Sequence, residues 1–311
     1  MQLRNSGKAL NPMENRRSNR FTENLTGYLM IAPNLIGFLV FTLFGIGFSI
    51  VMAFTDWNLL RGYEQAKFIG FDNFASMIGD IYLSASLKNN LLLLLVVPVI
   101  LFLAAILASL MNRAIYFRNG ARAMYFMPYV TNIVATATVW QALYHRSKGP
   151  INSLLLALGV SKEALPGWLS SSDWALLGIA IVLVWKDIGY NILIYSGALQ
   201  GIPHDLYEAA DIDGAGPIRK FFSITLPQLK PTTFMLTILG IISSLQMWGF
   251  VQIITQGGPG TSTYTLGLYI YRSAFITYRT GYAAALSWLL CVIVMVFTIF
   301  RWRMERKYSA E

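Results

Sequence analysis

The chain has 311 residues, of which 55% are hydrophobic and 13% are charged, and its formal net charge is +9. So few charged residues leave too little polar surface for a soluble globular protein of this length, and the composition therefore indicates an integral membrane protein. A single cysteine, Cys291, excludes an intramolecular disulfide.

Six apolar stretches are each long enough to cross a bilayer, which requires about 20 mostly apolar residues. The sequence therefore predicts an all-α, polytopic protein with six transmembrane helices. No ionisable residue interrupts the first stretch, and no early cleavage site precedes it, so we interpret it as a retained span. The predicted spans run from Tyr28 to Phe54, Leu91 to Met111, Met124 to Tyr144, Trp174 to Leu199, Thr232 to Thr255 and Tyr282 to Phe300.

Six spans place both termini on one side of the membrane. Residues 1–27 are then a polar N-terminal arm, residues 28–300 the membrane domain and residues 301–311 a tail. The first 24 residues are expected to be mobile, and the alternative is an amphipathic segment on the membrane surface. The side with the termini carries 15 of the 24 Lys and Arg residues and the opposite loops carry 8. This asymmetry follows the positive-inside rule, so it predicts cytoplasmic termini and explains the net charge without nucleic-acid binding.

A polar segment at residues 203–231 separates the fourth and fifth predicted spans. Pro203 pushes the preceding residue out of helical geometry and Asp205 suits a helix N-cap. Gly214 permits a left-handed turn before a second short helix, so the segment is predicted to be a helix–turn–helix. Its distinctive residues have a fixed spacing: Glu208, Ala209 and Ala210, then Asp213 and Gly214, then Ile224, Leu226 and Pro227.

This spacing resembles the EAA loop of ABC-importer permeases, and further motifs resemble carbohydrate-uptake permeases of the maltose-transporter type. We therefore identify the chain as similar to the MalF-type subunit of a binding-protein-dependent importer, although it lacks that protein's extra N-terminal helices. The motifs are Tyr28 to Pro33, Met127 to Tyr129, Leu199 to Pro203 and Gly257 to Thr263.

The resemblance implies a permease subunit in a prokaryotic cytoplasmic membrane that moves a di- or oligosaccharide inward. Its implied partners are a second homologous permease, a dimer of nucleotide-binding ATPase subunits and an extracytoplasmic solute-binding protein. The EAA residues given above are implied to couple the permease to that ATPase. Because the chain has neither a phosphate-binding glycine loop nor a cluster of catalytic or metal-ligating residues, ATP and Mg²⁺ are assigned to the partner ATPase and no enzyme activity, cofactor or metal is expected here.

Ionisable residues inside a membrane span indicate a functional site. Lys186 and Asp187 lie midway along the fourth predicted span, and Tyr190 and Asn191 share a face with Asp187 at i+3 and i+4. Such a face offers hydroxyl and carboxylate groups beside an aromatic ring, as a sugar requires. The alternative is a purely structural salt bridge, either between helices or with the sister permease. The candidate substrate-binding residues are Tyr129, Asp187, Tyr190, Asn191, Ser243 and Gln246; by the resemblance, Tyr129 and Tyr190 match sugar-contacting positions.

Two other functions are compatible with parts of this pattern, and a third is not. A secondary transporter of a polar solute also places polar residues at the midplane but has no use for the EAA segment. An ABC permease for a non-sugar solute such as a glycerol phosphate would retain that segment. A membrane enzyme would need a catalytic cluster that the sequence does not supply.

Overall fold

A computed structural model describes residues 12–112 and 118–309, and contains two compact units, residues 1–52 and residues 53–311. The described residues are helical apart from turns and loops, and they form no strand; Thr55 and Phe68 make one isolated β-bridge. The prediction of an all-α protein is confirmed at this level.

The first unit is one helical rod. Helix α1 (Pro12–Gly37) passes through a π-helical segment, Phe38–Leu43, into α2 (Phe44–Ala53), whose last residue belongs to the second unit. Within the predicted N-terminal arm the chain is helical from Pro12, and the mobility of the arm stays a prediction. Residues 1–11 lie outside the described residues.

The second unit contains the remaining helices. They are α3 (Asp72–Ala75), α4 (Ile81–Leu94), α5 (Val96–Asn112), α6 (Arg118–Val130), α7 (Ile133–Leu143), α8 (Pro150–Ala157), α9 (Ser172–Leu199), α10 (Asp205–Ile212), α11 (Pro217–Lys220), α12 (Leu226–Gln228), α13 (Lys230–Leu245), α14 (Gly249–Ile254), α15 (Leu266–Phe275) and α16 (Thr280–Ser309), with short 3₁₀ turns at Tyr63–Gln65 and Lys162–Ala164 and a π turn at Phe221–Thr225.

Four helical stretches of the described chain are long and apolar enough to span a membrane: Asn24–Ala53, Ile81–Asn112, Ser172–Leu199 and Thr280–Met304. The second begins ten residues before the predicted start at Leu91. Asp80 explains this early start, because its carboxylate caps the helix by accepting the backbone N–H groups of Tyr82 and Leu83. The polar run before Leu91, including Lys88, is therefore helical and not part of a loop.

The other two predicted spans, 124–144 and 232–255, are interrupted. In the first, α6 ends at Val130 and α7 begins after Asn132, whose side chain accepts the N–H of Val134 at 2.8 Å and of Ala135 at 3.5 Å. In the second, Gln246, Met247 and Trp248 separate α13 from α14. Sequence hydropathy does not register such breaks, since an interrupted helix pair remains apolar throughout.

Buried polar side chains satisfy the backbone groups that the second break exposes. Asn90 donates to the carbonyl oxygens of Ser244 at 3.3 Å and Leu245 at 3.1 Å, and accepts the N–H of Leu266 at 2.9 Å. The Thr265 hydroxyl donates to the Met247 carbonyl at 2.7 Å. Buried backbone groups that leave a helix need other hydrogen-bond partners, so these side chains make the break possible.

Small residues allow the helices of the second unit to approach closely. Helix α5 packs along α9 through Ala104, Ala105 and Ala108, all fully buried. Gly189 of α9 lies against α6 so tightly that an added Cβ would sit 1.7 Å from the Tyr125 carbonyl oxygen. This contact brings α6 and α9 together beside the candidate site described next.

Candidate functional site

A cavity of about 290 Å³ lies between α5, α6, α9 and α13. Its wall is aliphatic except for one group of polar and aromatic side chains. These are Tyr129, Asp187, Tyr190, Asn191, Ser243 and Ser244. The structure thus brings together five of the six candidate substrate-binding residues, which come from three separate predicted spans.

Gln246 is the exception among the six candidates. It does not line the cavity but is exposed at the end of α13, where its backbone N–H bonds to the Ile242 carbonyl. The helical relation that would place it beside Ser243 ends at Leu245, because the chain leaves helical geometry there. Ser244 takes part instead, since its side chain is buried against the cavity and its hydroxyl has no hydrogen-bond partner among the described residues.

One side of the cavity carries a compact charged and aromatic unit. The Lys186 ammonium lies 2.9 Å from the Asp187 carboxylate and 5.1 Å from the centre of the Tyr129 ring. The Tyr129 ring in turn stacks on Tyr190, with centroids 4.7 Å apart and planes inclined by 19°. The ion pair therefore joins Lys186 and Asp187, which are neighbours on one helix. The interhelical salt bridge considered from the sequence does not form within the described residues, because the flexible lysine side chain folds back onto Asp187.

Asn191 completes the α9 face of the cavity. Its amide nitrogen donates to the Asp187 backbone carbonyl at 2.8 Å, which fixes the orientation of the buried carboxamide. Tyr129 and Ser243 also line the cavity and are both exposed, so the cavity opens at the surface of this chain.

The segment at residues 203–231 forms two short helical arms joined by a turn. Glu208, Ala209 and Ala210 lie on α10; Gly214 follows with φ of 71°, a left-handed conformation that glycine adopts without strain. The second arm runs from Pro217 through the π turn that contains Ile224 to α12, which begins with Leu226 and Pro227.

Side chains tie the two arms together. The Tyr207 and Thr225 hydroxyls are 2.9 Å apart, and Lys220 pairs with Asp211. The tip of the segment is apolar but uncovered: Ile212 is 88% exposed and Ile218 is 74% exposed. Both are large apolar side chains, so this turn exposes apolar surface between two apolar helices.

Residues 100–309, more than half of the chain, match the family described as binding-protein-dependent transport system inner membrane component. The chain belongs to this family. It is a permease of an ABC transporter, which confirms the resemblance drawn from the sequence motifs.

Curated relatives and a solved structure agree with this family. The permease is 33% identical to the lactose transport system permease protein LacF of Rhizobium radiobacter, over 91% of this chain and 95% of LacF. It is 32% identical to the sulfoquinovosyl glycerol transport system permease protein SmoG of Agrobacterium fabrum, over 91% of each. A crystal structure of a bacterial ABC transporter that imports the acidic polysaccharide alginate matches with a TM-score of 0.81 and 25% identity, over 94% of this chain and 99% of that chain.

The permease has a second polar cluster that sequence patterns did not reveal. Besides capping α4, the Asp80 carboxylate accepts hydrogen bonds from the hydroxyls of Tyr269 and, at 2.6 Å, Tyr282, so it joins α4, α15 and α16. Burial opposes ionisation of Asp80, but the hydrogen bonds outweigh it and hold the pKa of this carboxyl below its ordinary value of 3.8. Burial and the bond to Asp80 raise the pKa of the Tyr269 hydroxyl.

The polar residues of α4 and α7 were also missed. Asn89 donates to the carbonyls of Thr261 and Tyr264, and Gln141 donates to those of Ile253 and Ile254. One signal was available, because amides inside apolar helices are costly unless they have partners. The sequence did not identify those partners, which lie more than 100 residues away.

Proposed function

We propose that this permease subunit translocates a neutral carbohydrate through the cavity beside Asp187. The observation that carries the proposal is the stacked pair Tyr129 and Tyr190 next to a carboxylate, an amide and two serine hydroxyls, in a family whose members include a lactose permease. Aromatic faces pack against the apolar C–H faces of a sugar ring, while the polar groups exchange hydrogen bonds with its hydroxyls.

The charge of the cavity favours a neutral sugar over an anionic solute such as a glycerol phosphate. Among the described residues, Asp187 is the one charged residue that lines the cavity, and Lys186 is already paired with it. An anion is recognised by arginine, lysine or backbone N–H groups that are free to donate, and no uncompensated positive charge lines the cavity among the described residues. The lining therefore suits hydroxyl groups.

The partner arrangement follows from the exposed surfaces and the family. We infer that a second homologous permease closes the cavity at Tyr129 and Ser243, and that a solute-binding protein delivers the sugar from outside. We assign the uncovered tip at Ile212 and Ile218, with Glu208 beside it, to contact with an ATPase dimer that binds ATP and Mg²⁺. Closure of that dimer would then rotate the helices and alternate access to the cavity.

Reconstituted uptake tests the cavity assignment. The importer, assembled with its binding protein and ATPase, would be assayed with neutral disaccharides and with digalacturonate. We expect Asp187→Asn to lower uptake of the neutral substrate by an amount that corresponds to about 1.5–3 kcal/mol, and Tyr190→Phe by about 0.5–1.5 kcal/mol, because a hydrogen bond to a charged group is stronger. Asp173→Asn, in the exposed first turn of the same helix, is the matched control.

Stimulation of the ATPase by loaded binding protein separates a cavity defect from failed assembly, since assembled variants retain basal hydrolysis. Equal uptake by the wild type and both cavity variants would place the sugar path in the sister permease. Efficient uptake of digalacturonate would contradict the choice of a neutral substrate.

A further inference from the structure

A groove of about 520 Å³ lies outside the candidate sugar cavity and shares only Val97 and Leu101 with it. The groove runs between α5, α9, α13 and α16, and Leu94 of α4 and Leu226 of α12 also line it. It is largely aliphatic and opens sideways at two exposed apolar residues, Pro98 and Phe102. In a membrane protein such an opening faces either lipid or another subunit.

The uncharged polar groups in the groove are already satisfied within the protein. The Tyr195 hydroxyl donates to Thr233 Oγ1 at 2.9 Å. Thr233 and Thr237 donate to the carbonyls of Leu229 and Thr233, at 2.9 Å and 2.6 Å. These residues therefore form a closed network and do not require a polar ligand.

Arg301 differs from these residues. It lines one end of the groove, is half-buried, and contacts the Phe234 ring at 5.6 Å. No carboxylate of the described residues pairs with it. A guanidinium has five N–H donors, and leaving one without a counterion near a membrane span is costly. An anionic group is therefore the complementary partner at this end.

The length of the groove matches one leaflet. Thr233 lies near the Arg301 end, and eight residues separate it from Ile241 along α13, which at 1.5 Å per residue is about 12 Å. Half of the hydrocarbon core of a bilayer is about 15 Å. A ligand that fits has a negative charge at one end and a hydrocarbon chain of about this length.

We propose that this groove is a binding site for an anionic glycerophospholipid. The phosphate lies against Arg301, and one acyl chain runs past Thr237 along Pro98 and Phe102. Basic pockets between transmembrane helices bind lipid headgroups in this way. The exposed Lys230, at the start of α13, adds positive charge around the headgroup.

Native mass spectrometry of the detergent-purified importer tests the site by titration with phosphatidylglycerol, diacylglycerol or inorganic phosphate. We expect tight phosphatidylglycerol adducts, and an affinity at least tenfold lower in Arg301→Gln, whereas Arg301→Lys retains part of the binding. Arg303→Gln, an exposed position on the same helix that does not line the groove, is the matched control. Thr237→Phe should also weaken binding, because it fills the groove without removing the charge.

A phosphatidylglycerol with a diazirine in its acyl chain localises the site independently of the variants. We expect crosslinks on the α5 peptide that contains Phe102. Equal phosphatidylglycerol binding by Arg301→Gln and Arg303→Gln would overturn the proposal, as would diacylglycerol or inorganic phosphate binding as tightly as phosphatidylglycerol. Crosslinks from a cysteine at Phe102 to the sister permease, in place of lipid, would assign the groove to the subunit interface.

Discussion

Single polar residues hold the helices of this permease in place at several points. Asp80 caps α4 with one carboxylate oxygen and accepts two tyrosine hydroxyls with the other. Asn90 performs a similar function where α13 and α14 separate. In both cases one side chain satisfies backbone or hydroxyl groups from distant parts of the chain, so substitution should affect more than one element.

The Asp80 cluster gives a prediction about pH. A carboxyl whose pKa is lower in the folded than in the unfolded state stabilises the fold above its unfolded pKa and loses that effect as the pH falls through its folded pKa. The contribution should therefore be present at neutral pH, begin to fall as the pH drops to the unfolded pKa of about 4, and be lost as the pH falls further through the lower folded pKa. At pH 7, Asp80→Asn should lower the free energy of unfolding by about 1–2 kcal/mol, after allowance for the partial exposure of this site.

Thermal unfolding of the purified protein at pH 7 and at pH 3 measures this effect. The difference between the wild type and Asp80→Asn should shrink at the lower pH. Glu64→Gln, an exposed carboxylate in the same part of the chain, should cause no such change. A deficit of the same size at both pH values would show that shape, and not charge, accounts for the effect of Asp80.

At the scale of helices, close approach at Gly189 determines where the cavity residues lie. The contact with Tyr125 fixes α6 against α9 and so places Tyr129 over Tyr190. A side chain at Gly189 would separate the two helices. Gly197, on the same helix, has open space around the position of an added Cβ.

We therefore expect Gly189→Ala to impair sugar uptake and to lower the free energy of unfolding. An extra methyl group in a packed core typically costs about 1–3 kcal/mol, and the loss here should be larger because the clash is with backbone. Gly197→Ala should leave both properties close to those of the wild type. Uptake assays and thermal unfolding on the pair provide the test. Normal uptake by Gly189→Ala would show that the helices separate without disturbing the sugar path.

The turn between α10 and α11 yields a second prediction at this scale. Gly214 has φ of 71°, whereas Gly216 has φ of −68°, and neither has an atom within 4 Å of an added Cβ. Gly214→Ala should strain the turn by about 1–2 kcal/mol, and Gly216→Ala should be tolerated. Gly214→Asp adds a charge at the proposed ATPase contact, so it should reduce uptake furthest.

Co-purification of the ATPase with each variant measures this coupling directly, while membrane insertion should persist in all of them. Wild-type uptake and full ATPase retention in Gly214→Asp would show that the 203–231 segment is not part of the coupling surface.

At the scale of the whole molecule, the distribution of Lys and Arg predicts the orientation. In a Cys291→Ser background, a cysteine at Ser223 should react with an impermeant thiol reagent only from the cytoplasmic side, and one at Ser171 only from outside. The reason is that basic loops are retained on the cytoplasmic side. Labelling of Ser223 in sealed, right-side-out cells would reverse the predicted topology.

The sequence by itself determined the membrane class, the family, and the face of α9 that carries Asp187, Tyr190 and Asn191. These features depend on composition and on spacing along one helix, where positions three and four residues apart are neighbours in any structure. For the same reason the residues of the 203–231 segment could be assigned to short helices and a glycine turn.

Only the tertiary structure decided which helices break, how Lys186 pairs, and which side chains close the site from other elements. The break after Leu245 removes Gln246 from the cavity, and Asn90 supports that break from a helix more than 150 residues earlier. Such contacts depend on packing between distant segments, and the hydropathy of a single segment contains no information about its neighbours. The groove at Arg301 exists for the same reason, because helices that are far apart in sequence form its walls.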